Sequence, residues 1–147
     1  MPLIQVMYRS RCCSGQAEDR ALLDPIIAVS TRNNARDNIT GYLIAADTWF
    51  VQILEGDSER VHAAYDRIRA DTRHYELVQI ERREMACRSF SDWTMGCSTD
   101  SVLRRQVFQR HGISGKFDPT VMIAPGLFAL ALDLQFVDRY YDGAASG

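Results

Sequence analysis

The chain has 147 residues, of which 46% are hydrophobic and 24% charged, and its formal net charge is −2. This composition is typical of one globular domain, and the near-neutral balance gives no electrostatic reason to expect nucleic acid or an anionic membrane as a partner. No apolar run approaches the roughly 20 residues that span a bilayer, and we find no signal-peptide pattern. The cysteines lack metal or redox spacing, so we predict free thiols and a cytoplasmic location.

A strand is predicted first, over residues 3–9, because two sets of side chains alternate there, and a polar loop follows. From about Asp19 to Asn34 the apolar spacing becomes helical. Pro25 lies near the start of this helix, so Asp24 is an alternative N-cap. One helix face changes from apolar to polar along its length, through Leu23, Ile27, Ser30 and Asn34. Its polar end either emerges into solvent or meets a polar partner.

Two strands joined by a tight turn form the centre of the chain. Residues 39–46 and 49–56 are predicted strands, and Asp47-Thr48 between them indicates a β-hairpin. The second strand is apolar on both faces except at Gln52, whose amide needs hydrogen-bond partners once it is buried. Gln52 is therefore either satisfied within the core or aimed at a ligand.

A second helix is predicted to begin at Asp57 or Ser58 and to end near Asp71. Arg67 and Asp71 stand one turn apart on it, a spacing typical of an exposed ion pair. Strands are then predicted over residues 75–85 and 90–97. On the last of these strands, Trp93 and Met95 share a face, which usually marks a core.

This order of elements predicts an α+β fold. It is a ferredoxin-like βαββαββ unit, with a five-stranded mixed sheet and two helices on one face. Two further helices are predicted over residues 101–110 and 125–141. The second is too apolar to lie free in solvent, and the other sheet face, which includes Met7, Trp49 and Val51, needs a cover. We expect these C-terminal helices to pack on that face or against a second subunit.

Polar residues from different elements converge in such a fold. Because both helices lie on one sheet face, Tyr8 and Gln52 then point into the groove between them, flanked by Asn34 and Arg67. A flat site with amide donors and acceptors and one cation suits a planar heterocycle that carries carbonyls, ring nitrogens and a phosphate tail.

Five segments carry a more specific signal. They are Val-Met-Tyr-Arg-Ser at 6–10, Ser-Thr-Arg-Asn-Asn-Ala-Arg-Asp-Asn-Ile-Thr-Gly at 30–41, Phe-Val-Gln-Ile-Leu-Glu-Gly at 50–56, Arg-Ile-Arg-Ala-Asp-Thr-Arg-His at 67–74 and Phe-Ser-Asp-Trp-Thr-Met at 90–95. Over residues 1–97 the chain resembles the BLUF family, the flavin-based blue-light sensors. The Asn-Asn-x-x-x-x-Ile-Thr-Gly and Phe-x-Gln-x-Leu-Glu-Gly segments, in this order, are highly specific.

The resemblance implies a non-covalent flavin, FAD or FMN, held between the two helices. It implies that Asn34 and Asn33 bind opposite carbonyl edges of the flavin and that Ser30 lies beside Asn34. By the same resemblance, Arg67 and Asp71 contact the pyrimidine side of the ring and its tail.

The resemblance also implies a photoswitch pair, in which Tyr8 hydrogen-bonds Gln52 and Gln52 reaches flavin N5 and the C4 carbonyl. Light drives electron and proton transfer from Tyr8, and Gln52 rearranges by rotation or by amide–imidic acid tautomerism. A small red shift results and reverses in the dark. Trp93 and Met95 compete for the place next to Gln52 and relay the signal.

The expected protein is therefore a photoreceptor for signal transduction and not an enzyme. Residues 1–98 form its photosensory domain and residues 99–147 a C-terminal helical extension that passes the signal to an unidentified partner protein. The apolar surplus of the extension favours a homo-oligomer.

Two other classes of protein agree less well with the sequence. An acylphosphatase-like hydrolase would use Arg9, Arg11 and Asn38 as anion contacts, but the glycine-rich phosphate loop is absent. An RNA-binding sheet would need an excess of basic residues, whereas this chain has a net charge of −2.

Overall fold

A computed structural model describes residues 2–97 and 102–142, apart from the side chains of residues 95–97 and 141–142. Its strands and α-helices are β1 Leu3–Cys12, α1 Arg20–Arg36, β2 Thr40–Ala46, β3 Trp49–Asp57, α2 Ser58–Arg69, β4 His74–Glu84, β5 Trp93–Cys97, α3 Val102–Arg110 and α4 Ala124–Val137. A short 3₁₀ turn, Pro119–Val121, precedes α4, and a π-helical turn, Asp138–Asp142, follows it. The predicted βαββαββ order is confirmed.

The sheet is mixed, as predicted, with the strand order β4-β1-β3-β2-β5. All neighbouring strands are antiparallel except β2 and β5, which run parallel. In the central strand, Gln52 lies opposite Tyr8 of β1 on one side and opposite Leu43 of β2 on the other. This register places the phenol and the amide side by side on one face of the sheet.

Each face of the sheet has its own core. Helices α1 and α2 cover the face of Tyr8 with residues that include Leu23 and Val61. Helices α3 and α4 cover the other face, where Leu130 and Leu134 pack with Met7, Tyr42, Val51 and Ile53. The prediction that the C-terminal helices pack on the second sheet face is confirmed.

The predicted start of α1 near Asp19 is confirmed, and the alternative N-cap at Asp24 is wrong. The helix begins at Arg20, and the carboxylate of Asp19 caps it by accepting a hydrogen bond from the backbone N–H of Ala21, 3.0 Å away. Pro25 lies inside the helix, where it removes one backbone donor. The cap and the complete burial of Leu23 compensate for that loss, so the helix continues through the proline.

Two strands also differ in length from the predictions. Strand β1 continues past residue 9 to Cys12, because Arg9 and Arg11 pair with β3 and β4. Strand β5 begins only at Trp93, because the preceding backbone is occupied elsewhere: the N–H groups of Ser89 and Phe90 donate to the carboxylate of Glu55. The last helix, predicted to extend to residue 141, is α-helical only to Val137 and continues as the π-helical turn.

Two residues of the sequence motifs have structural roles. Gly41 has φ +150°, and a Cβ there would lie 1.9 Å from the backbone oxygen of Ile53, so only glycine fits at this crossing of β2 and β3. Glu55 is fully buried, and Gln5 donates to its carboxylate at 2.8 Å. Together with Ser89 and Phe90, Gln5 satisfies this buried anion, which fixes the loop between β4 and β5.

Candidate functional site

A cavity of about 270 Å³ lies between the sheet, α1 and α2. The sheet forms its floor, the two helices form its walls, and the chain between α2 and β4 borders its mouth. The lining residues are Tyr8, Leu43, Phe50 and Gln52 from the sheet, Ile26, Val29, Ser30, Asn33 and Asn34 from α1, Ala64, Arg67 and Ile68 from α2, and Asp71, Arg73 and His74 from the mouth. All the residues predicted to bind a cofactor are therefore brought to one cavity.

Tyr8 and Gln52 form a buried pair in the floor, with only 3% and 4% of their surfaces exposed. The Tyr8 hydroxyl donates a hydrogen bond to Oε1 of Gln52. The amide nitrogen of Gln52 has no acceptor in the part of the chain that the structure describes. An amide NH₂ at the cavity without an internal partner is a donor available to a ligand.

The environment of Tyr8 keeps its phenol neutral. Burial raises the pKa of Tyr8 far above the ordinary tyrosine value, and the nearby Tyr65 and Asp71 add to the increase. The Tyr65 ring meets the Tyr8 ring edge-on, with centroids 5.7 Å apart. Tyr8 therefore carries its proton at every physiological pH and acts as the donor in its bond to Gln52.

The polar end of α1 faces this cavity, which answers the question that its sequence left open. Asn34 is buried, with 5% of its surface exposed, and Ser30 and Asn33 lie beside it in the lining. None of these three side chains makes a hydrogen bond to another residue within ranges 2–97 and 102–142. Buried polar groups are rarely left without partners, so the amide of Asn34, with the half-buried Ser30 and Asn33 beside it, indicates a polar ligand.

The charged residues pair differently from the sequence prediction. Arg67 donates to Asp37 at 3.1 Å and so links α2 to the end of α1, and the exposed ion pair with Asp71 of which the spacing is typical does not form. Asp71 instead binds Arg73, with the closest contact at 2.5 Å. The hydrogen bond from Arg73 lowers the pKa of Asp71, so the carboxylate stays ionised at the cavity mouth. The α-helix ends at Arg69, so Asp71 is no longer on the helical path that the spacing assumed.

Arg73 and His74 are site residues that the sequence analysis did not assign. His74 joins α2 to β1, because one ring nitrogen lies 2.6 Å from the carbonyl oxygen of Ile68 and the other 2.7 Å from the Ser10 hydroxyl. A carbonyl only accepts, so Nε2 of His74 carries a proton. Both residues belong to the Thr-Arg-His sequence that directly follows Asp71. Their closeness in sequence to a predicted cofactor-binding residue is the feature that could have identified them.

The two predicted relay residues lie on the edge strand β5. Trp93 is buried in the core on the Tyr8 side of the sheet, but it does not line the cavity. The side chain of Met95 lies outside the described residues. Its backbone pairs with Leu43, which in turn pairs with Gln52, so Met95 belongs to the same cross-strand row as Gln52.

The hydrolase alternative fails on geometry. Arg11 pairs with Trp49 at one end of β3, where its guanidinium lies over the Trp49 ring at 4.1 Å and binds Glu76. Asn38 lies against Gly56 at the other end of β3. The length of β3, roughly 20 Å, separates them, so they cannot bind one phosphate together.

Comparison with known proteins gives a consistent result. The family model described as "Sensors of blue-light using FAD" matches residues 3–96. The chain is 37% identical over 82 residues to photoactivated adenylate cyclase subunit beta of Euglena gracilis; the match covers 55% of this chain and 10% of that protein. The chain thus spans about a tenth of the length of this relative.

Two solved structures share the fold. The photo-activated state of BlsA matches with a TM-score of 0.74 and 24% identity, over 90% of this chain and 94% of that chain. The dark state of the BLUF protein BlrB matches with a TM-score of 0.62 and 28% identity, over 78% of this chain and 86% of that chain. Among the described residues, no helix has both the length and the apolar character needed to cross a membrane.

Proposed function

The chain belongs to the BLUF family of blue-light sensors, and from that premise we propose that it is a photoreceptor that binds FAD in the cavity between α1 and α2. We propose that it has no enzymatic activity of its own. The observation that carries the proposal is the buried bond from Tyr8 to Gln52 at the cavity floor, with the amide nitrogen of Gln52 left to donate to a ligand.

The residues of the cavity fit an isoalloxazine ring. Apolar side chains such as Phe50 and Leu43 offer flat contact surfaces. A volume of about 270 Å³ is close to the lower limit of ligand pockets, roughly 300 Å³, which suits an enclosed ring with its tail at the mouth. Asn34 and Asn33 would hold two carbonyl edges of the ring, with Ser30 beside Asn34.

The charged mouth suits the remainder of the cofactor. Arg67 and Asp71 would contact the pyrimidine side of the ring and its tail, and Arg73 adds a second cation to the lining. Cations are the natural partners of a phosphate. The same mouth accepts FMN, so the choice of FAD rests on the family.

A bound flavin supplies absorption of blue light and, in its excited state, a strong one-electron oxidant. Tyr8 is an easily oxidised side chain, and its neutral phenol already donates to Oε1 of Gln52, so the proton has an acceptor when the electron leaves. Gln52 would then rotate or adopt its imidic acid form, and the electron and a proton would return to Tyr8, so that no group stays oxidised or reduced. Either change of Gln52 alters which of its atoms donates into the cavity. A changed donor pattern shifts the absorption spectrum slightly and reverses in the dark.

Asn34→Ala is expected to weaken flavin binding at least about tenfold, because it removes amide groups that the buried ligand would bond. The measurement is a titration followed by flavin fluorescence. Thr31→Ala, an exposed change on the same helix, is the matched control and should leave the dissociation constant unchanged. Equal affinities of Asn34→Ala and wild type would remove Asn34 from the site.

We further propose that the signal leaves through β5 and α4. Away from the cavity, three side-chain polar atoms that are closed off from solvent have no hydrogen-bond partner in the described part of the chain: Nε1 of Trp93, Oγ1 of Thr94 and Nε2 of Gln135. Two belong to β5 and the third to α4, which contacts β5. An unsatisfied buried group costs roughly 1–3 kcal/mol. Thr94 pairs with Tyr42 on the α4 side of the sheet and Trp93 lies on the cavity side, so a shift of β5 that brings either group a partner would be favourable and would be felt on both faces.

Light is expected to change the hydrogen exchange of residues 102–137, because a shift of β5 alters its contacts with α4. The measurement compares deuterium uptake of the flavin-loaded chain in darkness and under continuous blue light, with Tyr8→Phe as the control that absorbs but does not switch. Identical uptake over 102–137 in both conditions would rule out this route.

A further inference from the structure

The polar face of α1 has a further member that the proposed flavin site does not use. Three of its residues, Ser30, Asn33 and Asn34, line the cavity. Asp37 follows Asn33 by about one helical turn, which places it on the same face. It lies just past the last residue of α1, but its N–H still donates to the carbonyl oxygen of Asn33 at 3.0 Å. Asp37 therefore leaves the helix on the side that carries the cavity residues.

Asp37 joins the two walls of the cavity through an ion pair. Nη2 of Arg67, on α2, donates to Oδ2 of Asp37 at 3.1 Å, and the side chain of Asp37 is only 20% exposed. Arg36 donates to the same carboxylate through Nε and Nη2, each at 3.0 Å. The hydrogen bond from Arg36 lowers the pKa of Asp37, and Arg67 lowers it further, so the carboxylate is ionised at neutral pH.

Arg67 retains donors for a ligand while it is held by Asp37. A guanidinium carries several N–H groups in one plane, and the bond to Asp37 uses Nη2 alone. Within ranges 2–97 and 102–142, the other N–H groups of Arg67 have no acceptor. Arg67 lines the cavity, whereas Asp37 does not. The carboxylate therefore binds the guanidinium from outside the cavity lining and restricts the directions in which its free donors point.

We propose that Asp37 is a positioning residue for flavin binding, because it holds Arg67 ready to donate to the ring. The proposal rests on the proposed function, which places a flavin in this cavity with Arg67 at the pyrimidine side of the ring. Without Asp37, the long side chain of Arg67 would become ordered only when the ligand binds. Ordering a side chain of this kind lowers affinity roughly two- to tenfold. The ion pair with Asp37 removes most of that penalty before the flavin arrives.

Two other roles of the ion pair lead to different expectations. A barrier across the cavity mouth would be relieved when Asp37 is removed, so binding would become tighter. A purely structural link between α1 and α2 would stabilise the flavin-free chain. The side chain of Arg67 is 45% exposed, and ion pairs of this kind contribute little to stability. Positioning of Arg67 is therefore the role that the geometry favours.

The test measures the dissociation constant of riboflavin, which has the ring but no phosphate, by the quenching of its fluorescence. Asp37→Ala is expected to weaken riboflavin binding roughly two- to tenfold. Asp37→Asn keeps an oxygen that accepts from Arg67 and should weaken binding less. FMN is the second probe. Its affinity should fall less than that of riboflavin in Asp37→Ala, because the lost carboxylate no longer repels the phosphate.

A double-mutant cycle separates positioning from an independent effect of Asp37. In a chain that already carries Arg67→Ala, Asp37→Ala should have no further effect, because Asp37 acts through Arg67. Asp24→Ala is the matched control, since it removes an aspartate that pairs with Arg20 at 2.9 Å on the same helix, outside the cavity lining. It should leave riboflavin binding unchanged. The unfolding temperatures of flavin-free Asp37→Ala and Asp24→Ala should agree.

Four results would overturn the proposal. They are unchanged riboflavin binding in Asp37→Ala, tighter binding in that variant, an equal loss with and without Arg67→Ala, and binding of FMN but not of riboflavin by wild type. The light-minus-dark spectrum of Asp37→Ala at saturating FMN should match that of wild type, so weaker binding with a normal spectrum assigns the effect to Arg67. A wild-type chain that binds neither probe would contradict the proposed function itself.

Discussion

Tyr8→Phe is expected to bind flavin and to lose the light-induced red shift completely. Phenylalanine keeps the aromatic ring that packs against Tyr65, so the cavity floor retains its shape. The change removes the hydroxyl that donates to Oε1 of Gln52, and with it both the oxidisable phenol and the transferable proton. The measurement is the light-minus-dark absorption difference of the flavin-loaded variant.

The matched control is Tyr65→Phe, which removes a neighbouring phenol and leaves the bond from Tyr8 to Gln52 in place. It should show the shift of wild type. Because Tyr8→Phe leaves the amide oxygen of Gln52 without its donor, we expect a loss of stability of roughly 1–3 kcal/mol, which thermal unfolding checks. A wild-type shift in folded Tyr8→Phe would remove Tyr8 from the mechanism.

Gln52→Leu is expected to abolish the same red shift, because it removes the acceptor of the hydrogen bond from Tyr8. Leucine keeps the approximate volume of the side chain but has neither the oxygen that accepts from Tyr8 nor the nitrogen that donates into the cavity. Tyr8 then remains oxidisable but has no relay for its proton. The variant should bind flavin with reduced affinity and give a flat light-minus-dark spectrum around the flavin band.

Gln135→Leu provides the comparison for Gln52→Leu, since it also replaces a glutamine whose amide nitrogen is buried with leucine. Its amide nitrogen has no hydrogen-bond partner in the described residues, so the change should not destabilise the fold. The red shift should persist in Gln135→Leu, because this residue lies in α4, on the sheet face opposite the cavity. A shift that survives in Gln52→Leu would mean that another group relays the proton of Tyr8.

Much of the fold and site followed from periodicity. Alternation along the first and third strands put Tyr8 and Gln52 on interior faces, and the helical spacing of Ser30 and Asn34 put both on one face of α1. These are local properties, which a sequence expresses directly. The pairing of Tyr8 with Gln52 across β1 and β3 depends on the register between distant segments, which periodicity cannot give. The family resemblance implied this pair, and the structure shows the register that forms it.

The remaining differences arise where a distant residue decides local geometry. Arg67 bonds Asp37 because the end of α1 lies beside α2 in the fold, and no spacing within α2 could indicate that. Strand β5 starts late because Glu55, far away in sequence, holds the preceding loop. Side chains whose partners are non-local are therefore the ones that sequence patterns misassign.

The most direct test is an absorption spectrum of the flavin-loaded wild-type chain, recorded in darkness, after blue illumination and again after dark recovery. We predict a flavin band that moves slightly to longer wavelength in the light, keeps its oxidised shape and returns fully in the dark. A spectrum that does not change, or one that bleaches without recovery, would contradict the photoswitch built on Tyr8 and Gln52.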